Sequence, residues 1–149
     1  MSLNERVNLK LLGKNQEDLK IISAYLQDSI LIVKDMIFLK KNRTFIMMVN
    51  RFMWEDLEKG AFREKKRIRC AIKFEEVIKV ESKNINQKNK NKPLECLAIK
   101  CSSIFGETYK INIFFAGDSI ITIISEVIEV SLHDLGKPWK VKHIPIHKI

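Results

Sequence analysis

Apolar residues along the chain switch between two spacings, and the switch points outline its elements. Positions 45–49 (Phe-Ile-Met-Met-Val) form an unbroken apolar run inside 44–52, which predicts a strand covered on both faces. Asn50, Arg51, Trp54 and Glu55 follow at once. An amide, a guanidinium, an indole and a carboxylate this close together build either a recognition rim or a structural corner, and the sequence leaves both open.

Before this strand, Val7, Leu9, Leu11 and Leu12, closed by Gly13, predict a short strand or a packed arm; Met1-Ser2-Leu3 reads as a possible vector remnant. Asn15 is placed to cap a helix, with Glu17 and Asp18 at its positive end. Leu19, Ile22 and Leu26, with Tyr25 beside them, give that helix one apolar face ending near Asp28. Positions 30–33 and 36–39, separated by Lys34-Asp35, predict two short strands or one with a kink, and 36–52 a hairpin turning at 40–43.

After a charged loop around Gly60, with a helical turn at 54–59, residues 67–74 alternate: Ile68, Cys70, Ile72 and Phe74 against Arg67, Arg69, Ala71 and Lys73. A short strand at 77–80 leads to a Lys/Asn-rich stretch, with 84–92 expected as a mobile polar hairpin loop. Positions 94–102 and 109–115 predict a hairpin across Phe105-Gly106-Glu107. A tight turn at 116–119 precedes a strand at 120–124. Ile124, Ile128, Leu132 and Leu135 then return to helical spacing, with Ser125 at the start and Gly136 and Pro138 at the stop. A closing helix is the expectation, followed by a basic tail at 140–149.

The order predicts one α+β domain over 1–149. Its expected architecture is a strongly bent antiparallel sheet, or partly open barrel, of about seven strands with an N-terminal helix and a closing C-terminal helix. It is similar to the pleckstrin-homology-like architecture; a flat sheet with both helices on one face is the alternative. Chains of this size bury roughly 68 to 70% of their unfolded surface, enough for one core.

Composition narrows the function classes. No apolar run reaches the ~18 residues of a membrane span, and residues 1–10 lack the apolar stretch of a signal peptide, so a cytoplasmic location is expected. Cys70, Cys96 and Cys101 lack metal-ligand spacing and read as reduced core thiols. The net charge of +9 admits a polyanion partner, but it comes from lysine more than arginine, as compositional bias would also give. Lys65, Lys66, Arg67, Arg69 and Lys73 form the candidate polyanion face; the strand offers no aromatic on that same side for base stacking.

No nucleotide-binding, zinc-protease or nucleophile-elbow motif is present. His143 and His147 stand four apart, but Pro145 between them argues against a helical metal site. No cofactor, metal or catalytic residue is assigned. Arg51 and Glu55 are candidates for a local ion pair under Trp54, Asp134 for a solvated or helix-end group, and Trp139 for a wedge after the helix.

Four short signatures stand out: Leu26-Gln27-Asp28, Asn50-Arg51-Phe52-Met53-Trp54-Glu55, Phe115-Ala116-Gly117 and Leu132-His133-Asp134-Leu135-Gly136-Lys137-Pro138-Trp139. Through them the chain resembles an uncharacterised family of small bacterial proteins, mostly from alphaproteobacteria, catalogued as a domain of unknown function. The Lys/Asn-rich loop at 84–92 and the lysine-heavy surface depart from that family's arginine-rich composition. The resemblance implies a single-domain cytoplasmic protein and supplies no catalytic residue. Function is therefore expected to be non-catalytic, a binding or adaptor domain engaging a protein partner through Asn50, Arg51, Trp54, Glu55 and Trp139. Sequence-independent binding of nucleic acid or an anionic membrane surface is the alternative, and an enzyme of unfamiliar type the third.

Overall fold

The computed structural model describes residues 8–58, 65–104 and 106–146. Val7, the Met1-Ser2-Leu3 start, the loop at Gly60, the Phe105 position and His147 lie outside the described residues. The elements are β1 (Lys10–Gly13), α1 (Gln16–Leu26), β2 (Ile30–Ile32), β3 (Met36–Leu39), β4 (Thr44–Phe52), α2 (Trp54–Glu58), β5 (Lys66–Phe74), β6 (Val77–Lys83), β7 (Pro93–Ile104), β8 (Thr108–Phe115), β9 (Ser119–Ser125) and β10 (Val130–Lys140). Short 3-10 turns at Val33–Asp35 and Lys40–Asn42 flank β3.

All the strands belong to one antiparallel sheet, ordered β1-β10-β5-β4-β2-β7-β8-β9-β6, with β3 paired to β4 off that path. The sheet is open, ending at β1 and β6. Strand neighbours lie about 4.8 Å apart, so the far members of this order share a core only if the sheet curls. They do share one: Phe45, Met47, Ile72 and Leu132 from one half pack in the same cluster as Ile111, Ile113, Ile121 and Ile123 from the other. Among the described residues the one long helix is α1, which adds Leu19, Ile22 and Leu26 to that cluster. Its start is capped as expected, the Asn15 side chain accepting from the Asp18 amide at 2.8 Å.

The expected architecture is corrected in three respects. The chain is mostly β rather than α+β. Ten strands form an open sheet instead of about seven in a helix-plugged barrel, so the pleckstrin-homology-like comparison is withdrawn. No closing C-terminal helix exists, because the segment assigned to it becomes β10. Two periods overlap there. Ile124, Ile128, Leu132 and Leu135 suit a helix, but Ile128, Val130, Leu132 and Asp134 are all buried at spacing two. A charged fourth member disguised the alternation. Tertiary context decides, since β10 pairs along β5 and satisfies an edge that would otherwise expose its backbone groups.

The Gly136 and Pro138 pair marks an irregularity instead of a helix stop. Leu135 faces Arg69 and Trp139 faces Arg67, so β10 advances four residues while β5 advances two. Gly136 takes a left-handed φ of 71°, and Pro138, which has no N–H to donate, fits where the ladder is interrupted. Residues 84–92 also differ from the expected hairpin. β6 pairs with β9 and β7 with β2 and β8, so the segment is a crossover. It is tied down at Lys34, whose amide donates to the Lys90 carbonyl, and at Asn84, whose side chain donates to the Asp118 carbonyl.

Replacing Gly136 with alanine forces a Cβ into the left-handed region at a cost of about 1 to 2 kcal/mol. Urea unfolding of Gly136→Ala is expected to show that loss. An unchanged midpoint would mean that the irregularity does not depend on glycine.

Candidate functional site

Arg51 lies near the end of β4, where strand alternation turns its side chain toward the core. It is wholly buried, 0% exposed, as is Asp134. Its Nε donates to Asp134 Oδ1 at 2.8 Å and its Nη2 to Oδ2 at 2.7 Å, a bidentate pair that reaches diagonally across β5 to β10. The same guanidinium donates from Nη1 to Glu55 Oε1 at 2.9 Å and from Nη2 to Oε2 at 2.7 Å. Glu55 keeps 22% of its side chain exposed. Burial lowers the Arg51 pKa, but the hydrogen bonds and charges of Asp134 and Glu55 more than offset it, so the group is held charged more firmly than a free arginine. Its guanidinium carbon also stands 5.4 Å from the Tyr25 ring centroid on α1.

Trp54 opens α2 and is fixed from two sides. Its indole N–H donates at 2.8 Å to the Gln27 carbonyl at the end of α1, one of the acceptors that a helix terminus leaves without an intrahelical partner. Its ring packs on Phe52 with centroids 4.6 Å apart. Ala24, Tyr25, Trp54 and Glu55 line a pocket of about 170 Å³. A larger groove of about 420 Å³ runs between α1 and β7, past Lys20, Ser23 and Cys101.

The expected rim is thus divided. Arg51, Trp54 and Glu55 come together, with Arg51 inside and Trp54 over Phe52 instead of over the ion pair. Asn50 points to the opposite face of the sheet, where its side-chain oxygen accepts from Arg69 at 3.1 Å. Trp139, 40% exposed, sits on β10 across from Arg67 and shares its face, not that of Glu55. Asp134, expected to be solvated or at a helix end, is the buried partner of Arg51, and Tyr25 joins the same group. A faint sequence signal for Asp134 lay in its place two residues beyond Leu132 in a buried alternation. Nothing local tied it to Arg51, 83 residues away.

The basic strand face is largely consumed internally. Arg67 donates from Nη1 to the Asp28 and Asn50 carbonyls, both at 3.0 Å, and its guanidinium carbon is 5.6 Å from the Phe52 ring centroid. Burial lowers its pKa, against the opposing charges of Asp28 and Glu95. Arg69 pairs with Asp35 at 3.2 Å and Lys73 with Glu75 at 3.1 Å. Lys65 and Lys66 are half-buried at the start of β5, next to the β10 end.

The cysteines are free, and burial pushes each thiol up: Cys96 to about 12, with Cys70 and Cys101 also raised. The Asp134 carboxylate adds to the effect at Cys70. Among the described residues no group of three or more His, Cys, Asp or Glu is placed to hold a metal. No described helix is long and apolar enough to cross a membrane.

A family model described as a protein of unknown function (DUF2948) matches residues 9–147. No curated protein matches the chain.

Removing one member of a buried ion pair costs about 3 to 5 kcal/mol, because its partner stays charged without compensation. Arg51→Met is expected to lose stability on that scale in urea unfolding, and the double change Arg51→Met, Asp134→Leu to recover most of it. Additive losses would show that the two residues do not act as a pair.

Proposed function

The chain belongs to this family of proteins of unknown function, and with no activity conferred by membership we propose that it is a non-catalytic binding module engaging a protein partner at the Tyr25, Trp54 and Glu55 pocket. The observation that carries this reading is the fixing of Trp54 beside a part-exposed carboxylate. Its indole N–H is held by the Gln27 carbonyl and its ring by Phe52, so little side-chain freedom remains to be lost on binding. Aromatic anchors of this kind dominate affinity at protein interfaces. The raised thiols favour binding over cysteine chemistry, since the thiolate is the reactive form.

A photo-crosslinking residue at position 24, on the pocket wall, tests the proposal in living cells. A discrete adduct is expected, strongly reduced by Trp54→Phe, and absent when the crosslinker stands instead at exposed Ile78 on β6. Equal labelling at both positions, or no effect of Trp54→Phe, would overturn it.

A second reading, sequence-independent binding of nucleic acid or an anionic surface, draws on a different observation. Trp139 supplies, from β10, an aromatic on the Arg67 face, where β5 has none, close to Lys65, Lys66 and Lys140. Binding of random-sequence RNA should then collapse between about 50 and about 200 mM salt and weaken in Trp139→Ala. Binding insensitive to salt, or undetectable at both concentrations, would remove this reading.

A further inference from the structure

We infer that the outer face of the β7-β8-β9-β6 half of the sheet binds single-stranded nucleic acid, with a base stacked at Phe114 and phosphates on Lys83, Lys100 and Lys110. This surface is separate from the Trp54 pocket and lies on other strands than Arg67 and Trp139, so it goes beyond both readings above.

Strand alternation builds the face. Ile111, Ile113 and Phe115 of β8 and Ile121 and Ile123 of β9 belong to the core, which turns Lys110, Asn112 and Phe114 outward together with Thr122. Register then fixes the neighbours. Lys83 and Phe114 lie in one row across the strands, Lys100 and Asn112 in the next, and Lys79 and Lys110 in the third. With strands about 4.8 Å apart, a row across four of them spans roughly 14 Å, room for a few nucleotides.

The charge on this face is available, unlike that of Arg67, Arg69 and Lys73. Lys83, Lys100 and Lys110 are exposed, and none of them forms an ion pair. Three carboxylates lie nearby. Glu81 is held by Lys79 at 2.7 Å, Glu95 lies toward Arg67, and Asp118 closes the far end. The hydrogen bond and charge of Lys79, with Lys110 adding to them, keep the Glu81 carboxyl below the usual carboxylate range, as a positive surface should.

The Phe114 end supplies a place for a base. A hollow of about 540 Å³ is lined there by Phe114, Leu97, Ile120, Lys83 and Asn84. Lys100 Nζ stands 5.7 Å from the Phe114 ring centroid, beside the position of a stacked base, from which it reaches the adjoining phosphate. One row on, the Thr122 hydroxyl donates to Asn112 Oδ1 at 2.8 Å, which orients the amide so that its NH2 group remains for a base edge. A duplex keeps its base faces stacked on one another and would leave Phe114 unused. An anionic membrane would meet the lysines, but a half-buried ring on the floor of a hollow does not reach the acyl chains.

The test follows the fluorescence anisotropy of labelled oligo-dT and oligo-U of about 16 nucleotides, enough to cover a site on one small β domain, with the corresponding duplex as control. Single strands are expected to bind more tightly than duplex, and to weaken about tenfold between about 50 and about 200 mM salt, as three phosphate contacts imply. Phe114→Leu, which keeps an apolar side chain but loses the stack, is expected to weaken single-strand binding about fivefold or more. The double change Lys100→Gln, Lys110→Gln alters exposed positions alone and is expected to lower the salt slope by about 1.4.

No salt-dependent binding of single strands, or equal binding of duplex, would overturn the inference. So would full retention in folded Phe114→Leu and in the double glutamine variant, or binding of anionic vesicles with the oligonucleotides inert. Oligonucleotide binding lost in Trp139→Ala but kept in these variants would assign the nucleic acid to the Arg67 face and remove it from this one.

Discussion

The Arg51 to Asp134 pair joins strands that are distant in sequence and organises what surrounds it. A buried guanidinium must find partners for its donors, and here two carboxylates and an aromatic ring supply them. Asp134 places β10 beside β5, Glu55 places the start of α2, and Tyr25 brings α1 over the same point. Burying an ion pair costs desolvation, and a hydrophobic replacement of similar volume often holds a fold as well. What such a replacement would not do is hold Glu55 at the mouth of a pocket. The ion pair therefore links the packing of the sheet to the candidate site without separating the two roles.

The same economy of charge governs the opposite face. From sequence, Arg67, Arg69 and Lys73 looked like a positive strip open to a polyanion. In the fold, Arg67 bridges the Asp28 and Asn50 carbonyls, Arg69 meets Asp35 and Lys73 meets Glu75. Surface pairs of this type contribute little stability, but they reduce the field that a phosphate backbone would feel. The other described lysines are spread over strands as well as turns, from Lys10 on β1 through Lys100 on β7 to Lys140 on β10.

The candidate site was only partly legible. Arg51, Trp54 and Glu55 were visible as a cluster because they lie within one turn of one another, and the pairing of Arg51 with Glu55 is present in the structure. Asn50 and Trp139 were grouped with them by proximity or composition, and strand alternation sends both to the other face. Asp134 and Tyr25 were missed as members, because their roles depend on contacts across the sheet and across the helix packed beside it. Side chains one residue apart on a strand point oppositely, so a cluster in sequence is halved in space.

By itself the sequence determined the local elements through β9: the Asn15 cap, the α1 face, the alternation of β5, and the hairpins made by β3 with β4 and β7 with β8. Each is encoded by residues close enough to act on one another through backbone geometry and side-chain spacing. Tertiary structure decided the rest. The segment 130–140 carried both a helical and a strand period, and the free edge of β5 together with the buried charge of Arg51 resolved it as β10. The crossover from β6 to β7 and the single curled sheet were likewise settled by pairing between distant strands. Local spacing specifies which face of a segment is apolar, but only the finished core specifies which neighbour covers that face and which carboxylate meets a buried arginine.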